Sequence, residues 1–159
     1  MKRLIRNSVA LVFAITLLAP AAASAADLPH HHLALFSGYA KETKPGRADA
    51  NGFALGLEWE MRFHEKWGIG AVIEFLGQDT VRNVLVVVPF SFHPVGHWRL
   101  IFGPGMEFTP TKDKFAVRLG VGYEIPLGGH WSLAPEVFVD LIDSGENTWV
   151  GGLALGYEF

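Results

Sequence analysis

The chain has 159 residues, a formal charge of −3, 18 glycines, 13% aromatic residues and no cysteine. The length fits a single domain, and the missing thiols exclude a disulfide framework. The acidic balance argues against nucleic acid as a partner, because phosphate binding needs a basic surface.

Residues 1–25 read as a secretory signal peptide. Lys2, Arg3 and Arg6 give a basic start, residues 9–19 form an apolar run broken by Thr16, and Ala23-Ser24-Ala25 behind Pro20 is an A-x-A cleavage site. The run is shorter than the ~20 residues of a spanning helix, so cleavage is expected rather than an anchor. Losing those three cations would take the formal charge from −3 to −6. The mature domain is expected over 26–159, in a periplasmic, outer-membrane or secreted location.

Eight strands are predicted, over 32–40, 51–63, 67–76, 83–93, 98–108, 115–125, 131–142 and 148–159. Their connections alternate in character. Segments 64–66, 94–97 and 126–130 are tight turns, whereas 41–50, 77–82, 109–114 and 143–147 are more charged and mostly longer. Each tight turn delivers a tryptophan (Trp67, Trp98, Trp131) to open the next strand. An even strand number puts both termini beside the tight turns.

The last strand shows the pattern most clearly. Trp149, Gly151, Leu153, Leu155, Tyr157 and Phe159 fall on one face, and Val150, Gly152, Ala154, Gly156 and Glu158 on the other. Such alternation fits a soluble barrel that hides its apolar face or a membrane barrel that displays it. Volume decides. The second strand alone places Phe53, Leu55, Leu57, Trp59, Met61 and Phe63 on the apolar face. An eight-stranded barrel has room inside for little more than its own side chains, so this face must point outward into lipid. The glycine-rich face then lines the lumen. Aromatics lie towards the strand ends and Leu, Val and Ile fill the middles, as girdles around an apolar band require. Pro89, Pro104 and Pro135 each remove a ladder donor, so bulges or bends are expected there, most of all at Gly103-Pro104-Gly105.

The signal peptide, the eight amphipathic strands and the aromatic end Leu153-Ala154-Leu155-Gly156-Tyr157-Glu158-Phe159 together resemble the small outer-membrane β-barrel proteins of Gram-negative bacteria. The resemblance implies an all-β, antiparallel, up-and-down transmembrane barrel, integral to the outer membrane and porin-like in architecture. It also implies that the final strand, with Tyr157 and Phe159, is the signal read by the barrel-assembly machinery. Outer-membrane lipid is the other implied partner, and a monomer is expected.

Chemistry is expected on the lumen face, which carries Glu58, Glu60, Arg62, Glu74, Arg99, Glu107, Arg118, Glu124, Glu136, Asp140 and Glu158. Every cation in this set is Arg, which stays charged when desolvated and pairs bidentately with carboxylates. The set reads as a structural ionic network; a narrow ion path is the alternative. Arg118 is expected to be the main inward cation among Glu74, Glu107, Glu136 and Asp140, with Glu107 and Asp140 on its flanking strands and Arg82 as a further source of charge. Neighbouring histidines in His30-His31-His32 point to opposite faces, so no metal site is expected. All seven histidines should lie at the end that carries the termini. Ser91 and His93 share a face and are the nearest approach to a lipid A deacylase pair, but they fall at the wrong end for that substrate. No P-loop, GxSxG, CxxC or HExxH pattern occurs, and no cofactor is expected. The expected function is non-enzymatic, a structural or surface-interaction role through the outer loops. A minor cation channel is the main alternative, ahead of a lipid A-modifying enzyme.

Overall fold

The structure is a computed structural model that describes residues 30–159 apart from 45, 47, 79, 80 and 144. The signal peptide, the mature start and the Arg82 side chain lie outside the described residues. Ten strand segments form the wall: β1 (His30–Thr43), β2 (Ala50–His64), β3 (Trp67–Gln78), β4 (Val81–Val87), β5 (Phe90–Phe92), β6 (Trp98–Phe108), β7 (Asp113–Tyr123), β8 (Ile125–Gly128), β9 (Trp131–Ile142) and β10 (Asn147–Glu158). All pairings are antiparallel between neighbours in the chain, and β1 pairs with β10 from His32↔Glu158 to Thr43↔Asn147. Segments β4 with β5, and β7 with β8, each make one interrupted stave. The wall is therefore a closed barrel of eight staves, as the alternation predicts.

Alternation is what places the side chains. Along β6 every second residue from Arg99 to Glu107 is buried while Trp98, Leu100, Phe102, Pro104 and Met106 are exposed. The buried set lies inside a closed wall, and the exposed set forms a continuous apolar exterior that includes Leu35, Leu55, Leu57, Phe75, Leu119, Val137 and Leu153. So large an apolar exterior is unstable in water and is matched to hydrocarbon. No helix among the described residues is long and apolar enough to cross a membrane, so any crossing is made by strands.

The two rims differ. At one end, here the turn end, lie residues 65–66, 93–97 and 129–130 together with the start of β1 and the end of β10. Aromatic pairs gird this end, among them Trp67 with Phe92 at 4.6 Å, Trp98 with Tyr123 at 5.1 Å and Trp131 with Tyr157 at 5.0 Å. At the opposite loop end the connections 44–49, 79–80, 109–112 and 143–146 are also short, because β1, β2, β3, β4 and β7 extend into segments expected to be loops. Long outer loops are absent from the described chain.

Of the three prolines at which bulges or bends were expected, Pro89 interrupts its stave and the other two do not. β6 runs unbroken through Gly103-Pro104-Gly105, pairing Pro104 with Val117, and β9 runs unbroken through Pro135, opposite Leu153. The interruption falls on the neighbouring stave at Val88 and Pro89. There the Val88 amide donates to the Pro104 carbonyl at 3.0 Å and the Gly70 amide to the Pro89 carbonyl at 2.8 Å. A Cβ at Gly103 would collide with the Val88 carbonyl oxygen, so glycine lets the displaced backbone of that stave lean against β6. Register irregularities occur instead between Arg62 and His64 and between Pro126 and Gly128, both beside turns.

Candidate functional site

The lumen holds the charged residues, and two arginines organise it. Nearest the turn end, Arg62 on β2 donates from Nη2 to both oxygens of Glu124, the residue between β7 and β8, at 2.9 Å each. Deeper, Arg99 on β6 is 3% exposed and donates to Glu58 at 3.0 Å, to Glu60 at 3.2 Å, and to Glu136. His93 contacts Glu60 at 2.9 Å from the same side. One guanidinium thus ties β6 to β2 and β9 across the lumen. Above it, Arg118 on β7 is 1% exposed and makes two fork-like pairs, with Asp140 on β9 at 2.7 and 2.8 Å and with Glu74 on β3 at 3.1 and 2.9 Å. A planar guanidinium supplies donors in both directions at once, which an ammonium could not do with this geometry.

Between and beside these clusters the lumen is apolar. Phe36 and Phe138 meet edge to face at 5.7 Å, and the Arg118 guanidinium lies 4.5 Å from the centre of the Phe138 ring. Leu76, Leu85, Val87, Ile101, Ile142 and Val150 are also buried inward. A cavity of about 20 Å³ lined by Glu58, Ser91, Arg99, Ile101, Arg118 and Phe138 separates the two arginines. That is room for about one water, far less than a solute path requires.

The grouping departs from the sequence expectation in three places. Glu107 is not beside Arg118; it pairs in register with Lys114, accepts from Asn83 at 2.9 Å and lies 3.6 Å from the Lys114 ammonium. Glu136 belongs to Arg99, not Arg118. The inward cations are not all arginine, because Lys114 reaches Glu107 and Glu146, and Lys44 reaches Glu42 at 2.8 Å. Glu42, 1% exposed, was missed because the first strand was ended at residue 40. Lys114 was missed because its strand was started one residue too late. Continuing each alternation one more step would have found both. Glu158 lies at the turn-end rim, 3.6 Å from His30, the end at which it is expected.

The remaining candidates are scattered. All seven histidines lie at the turn end. His32 and His93 point inward to Ser132 and Glu60, and the other five sit on or near the rim. Among the described residues no group of three or more His, Cys, Asp or Glu has the arrangement to hold a metal ion. Ser91 is buried with its hydroxyl unpartnered, and His93 is engaged by Glu60 instead. The two therefore form no nucleophile–base pair. Tyr157 and Phe159 stack at 6.4 Å in the turn-end girdle.

No protein-family model matches the sequence, and no curated protein matches it by sequence. Solved structures do match. The chain is similar to Ail, the attachment invasion locus protein of Yersinia pestis, with a TM-score of 0.60 and 13% identity over 82% of this chain and 99% of that one. Neisserial surface protein A gives a TM-score of 0.62 and 8% identity, covering 81% and 97%. The N-terminal β-barrel domain of Pseudomonas aeruginosa OprF gives 0.61 and 12%, covering 82% and 97%. Identities this low carry the fold and nothing finer: a closed, eight-stranded, transmembrane-type β-barrel.

Proposed function

We propose that this protein is an integral outer-membrane β-barrel of a Gram-negative cell, monomeric and non-enzymatic, serving as a structural or surface-contact component of the envelope. In this reading the turn end faces the periplasm and the loop end faces outward, the usual layout of such barrels. The supporting observation is the lumen. Arg99 and Arg118 bind carboxylates on facing staves, and a water-sized cavity lies between them. A wall braced in this way is built for rigidity, not passage.

Ail is named for attachment and invasion. In this chain the outer connections are short, so surface contact would rest on the rim, where Lys41 pairs with Asp49 at 3.1 Å, rather than on extended loops. The girdle position of Tyr157 and Phe159 fits the assembly signal that the family resemblance implies.

Cation conduction is the second reading, and one observation favours it: carboxylates outnumber Arg and Lys among the described lumen residues. Planar-bilayer recording of the purified protein separates the two. The braced-lumen reading expects little steady conductance. Steady cation-selective current would replace it with the channel.

A further inference from the structure

The turn-end rim carries a feature that the lumen does not explain. His31 stacks on Trp59 at 5.8 Å and on Phe159 at 5.6 Å, His97 meets Tyr123 at 5.9 Å, and His130 meets Tyr157 at 5.6 Å. These imidazoles cap the aromatic girdle on two stretches of the circumference, His31 and His130 on the adjoining Phe159 and Tyr157 rings and His97 on Tyr123, at the depth where side chains meet lipid headgroups. His64 and His30 are exposed on the same rim.

The fixed charges beside them are few. The turn between β2 and β3 brings Glu65 and Lys66, both exposed. Around His97, the end of β7 brings Tyr123 and Glu124, the latter held by Arg62. Beside His31 and His130, β10 brings Glu158, which is also 3.6 Å from His30, and the Phe159 carbonyl oxygen, which accepts from the His31 amide at 3.0 Å. With neutral imidazoles this rim is weakly acidic, since Arg62 and Lys66 face Glu65, Glu124 and Glu158. Protonating the five rim imidazoles reverses its sign. Histidine is the side chain whose charge changes in mildly acidic conditions.

We propose that the turn-end girdle is a pH-dependent binding surface for anionic phospholipid headgroups. Charged imidazoles held on the girdle rings meet headgroup phosphates directly, and the preference disappears when they are neutral. The proposal rests on the membrane reading given above.

The test uses the purified barrel refolded into phosphatidylcholine vesicles containing phosphatidylglycerol, with either lipid carrying brominated chains that quench tryptophan. A W149F background leaves reporters near the turn end, among them Trp59, Trp98 and Trp131. At about pH 5.5 phosphatidylglycerol should be enriched around the protein roughly fivefold or more, the factor expected for one or more surface cations at an anionic headgroup layer. At about pH 8 the enrichment should be absent. H31Q/H97Q/H130Q, which keeps only His30 and His64 on the rim, should lose most of the enrichment at about pH 5.5 and show none at about pH 8. H97Q/H130Q, which keeps the His31 stack, should fall between the triple variant and the parent and guards against a folding defect in the triple variant. Enrichment that is equal at both pH values, or unchanged in H97Q/H130Q, overturns the proposal. Failure of the parent to fold into vesicles at all overturns instead the membrane reading beneath it.

Discussion

Arg118, Leu119 and Gly120 are consecutive residues of β7, yet they sit in two different media. Arg118 and Gly120 face a crowded lumen; Leu119, 43% exposed, faces outward. On the lumen side each side chain has assigned partners, two carboxylates for the guanidinium and a phenylalanine ring against the glycine. On the outer side Leu119 lies in register with Phe102 and Val139 and faces the surrounding medium. The same backbone thus carries one face that specifies by pairing and one that specifies by solubility alone. Substitutions inside should fail through broken partnerships, and those outside only through polarity.

Three neighbouring substitutions test that contrast. The largest effect is expected for Arg118→Ala. Glu74 and Asp140 would be left buried without their cation, at a cost of about 3–5 kcal/mol. Protonating the stranded carboxyls removes their mutual repulsion, so the variant should gain stability relative to the parent as pH falls from 8 to 5. Denaturant unfolding in detergent at the two pH values measures this; a negligible penalty at both would dismantle the bracing role of Arg118.

Leu119→Arg should come next. A midplane arginine on the lipid face costs about 2–4 kcal/mol, and the variant should fold poorly into vesicles. Folding as efficient as the parent's would mean that the assignment of faces is reversed. The smallest of the three is Gly120→Ala. The added methyl would collide with the Phe138 ring, which is hemmed in by Phe36 and Arg118, and overpacking of that kind costs about 1–3 kcal/mol. A neutral result in a thermal melt would show that the lumen is more compliant than its packing implies.

The contrast also explains what was legible in the sequence. The wall was legible because a period of two assigns every residue to a face, and because the outward volume could not fit inside. Inward charges such as Arg99, Arg118 and Glu74 followed from the same rule. Their partners followed only in part: Glu74 and Asp140 were expected around Arg118 and are there, whereas Glu107 and Glu136 are not. Staves tilt, so the residue that meets Arg118 across the lumen is set by register and shear, and Glu107 lands beside Lys114 instead. Of the three expected proline sites only Pro89 breaks its stave; β6 stays paired through Pro104, and Gly103 makes room there for the displaced backbone at Val88. The apolar filling around Phe36 and Phe138 went unrecognised because the inward face was read for its glycines and its charges.

The β1–β10 seam has a consequence for how the wall is made. Every other pairing joins neighbours in the chain across a short connection, so each hairpin closes only a small loop. The seam joins His32 to Glu158 and so turns almost the whole described chain into one ring. Loop-closure entropy makes it the costliest pairing to reach and the natural last step of assembly. Until it forms, an incomplete sheet presents two raw strand edges and leaves Arg99 and Arg118 without an enclosing wall. A chain truncated before β10 should therefore not settle into a smaller barrel but expose its edge to other chains, where unpaired strands seed aggregation.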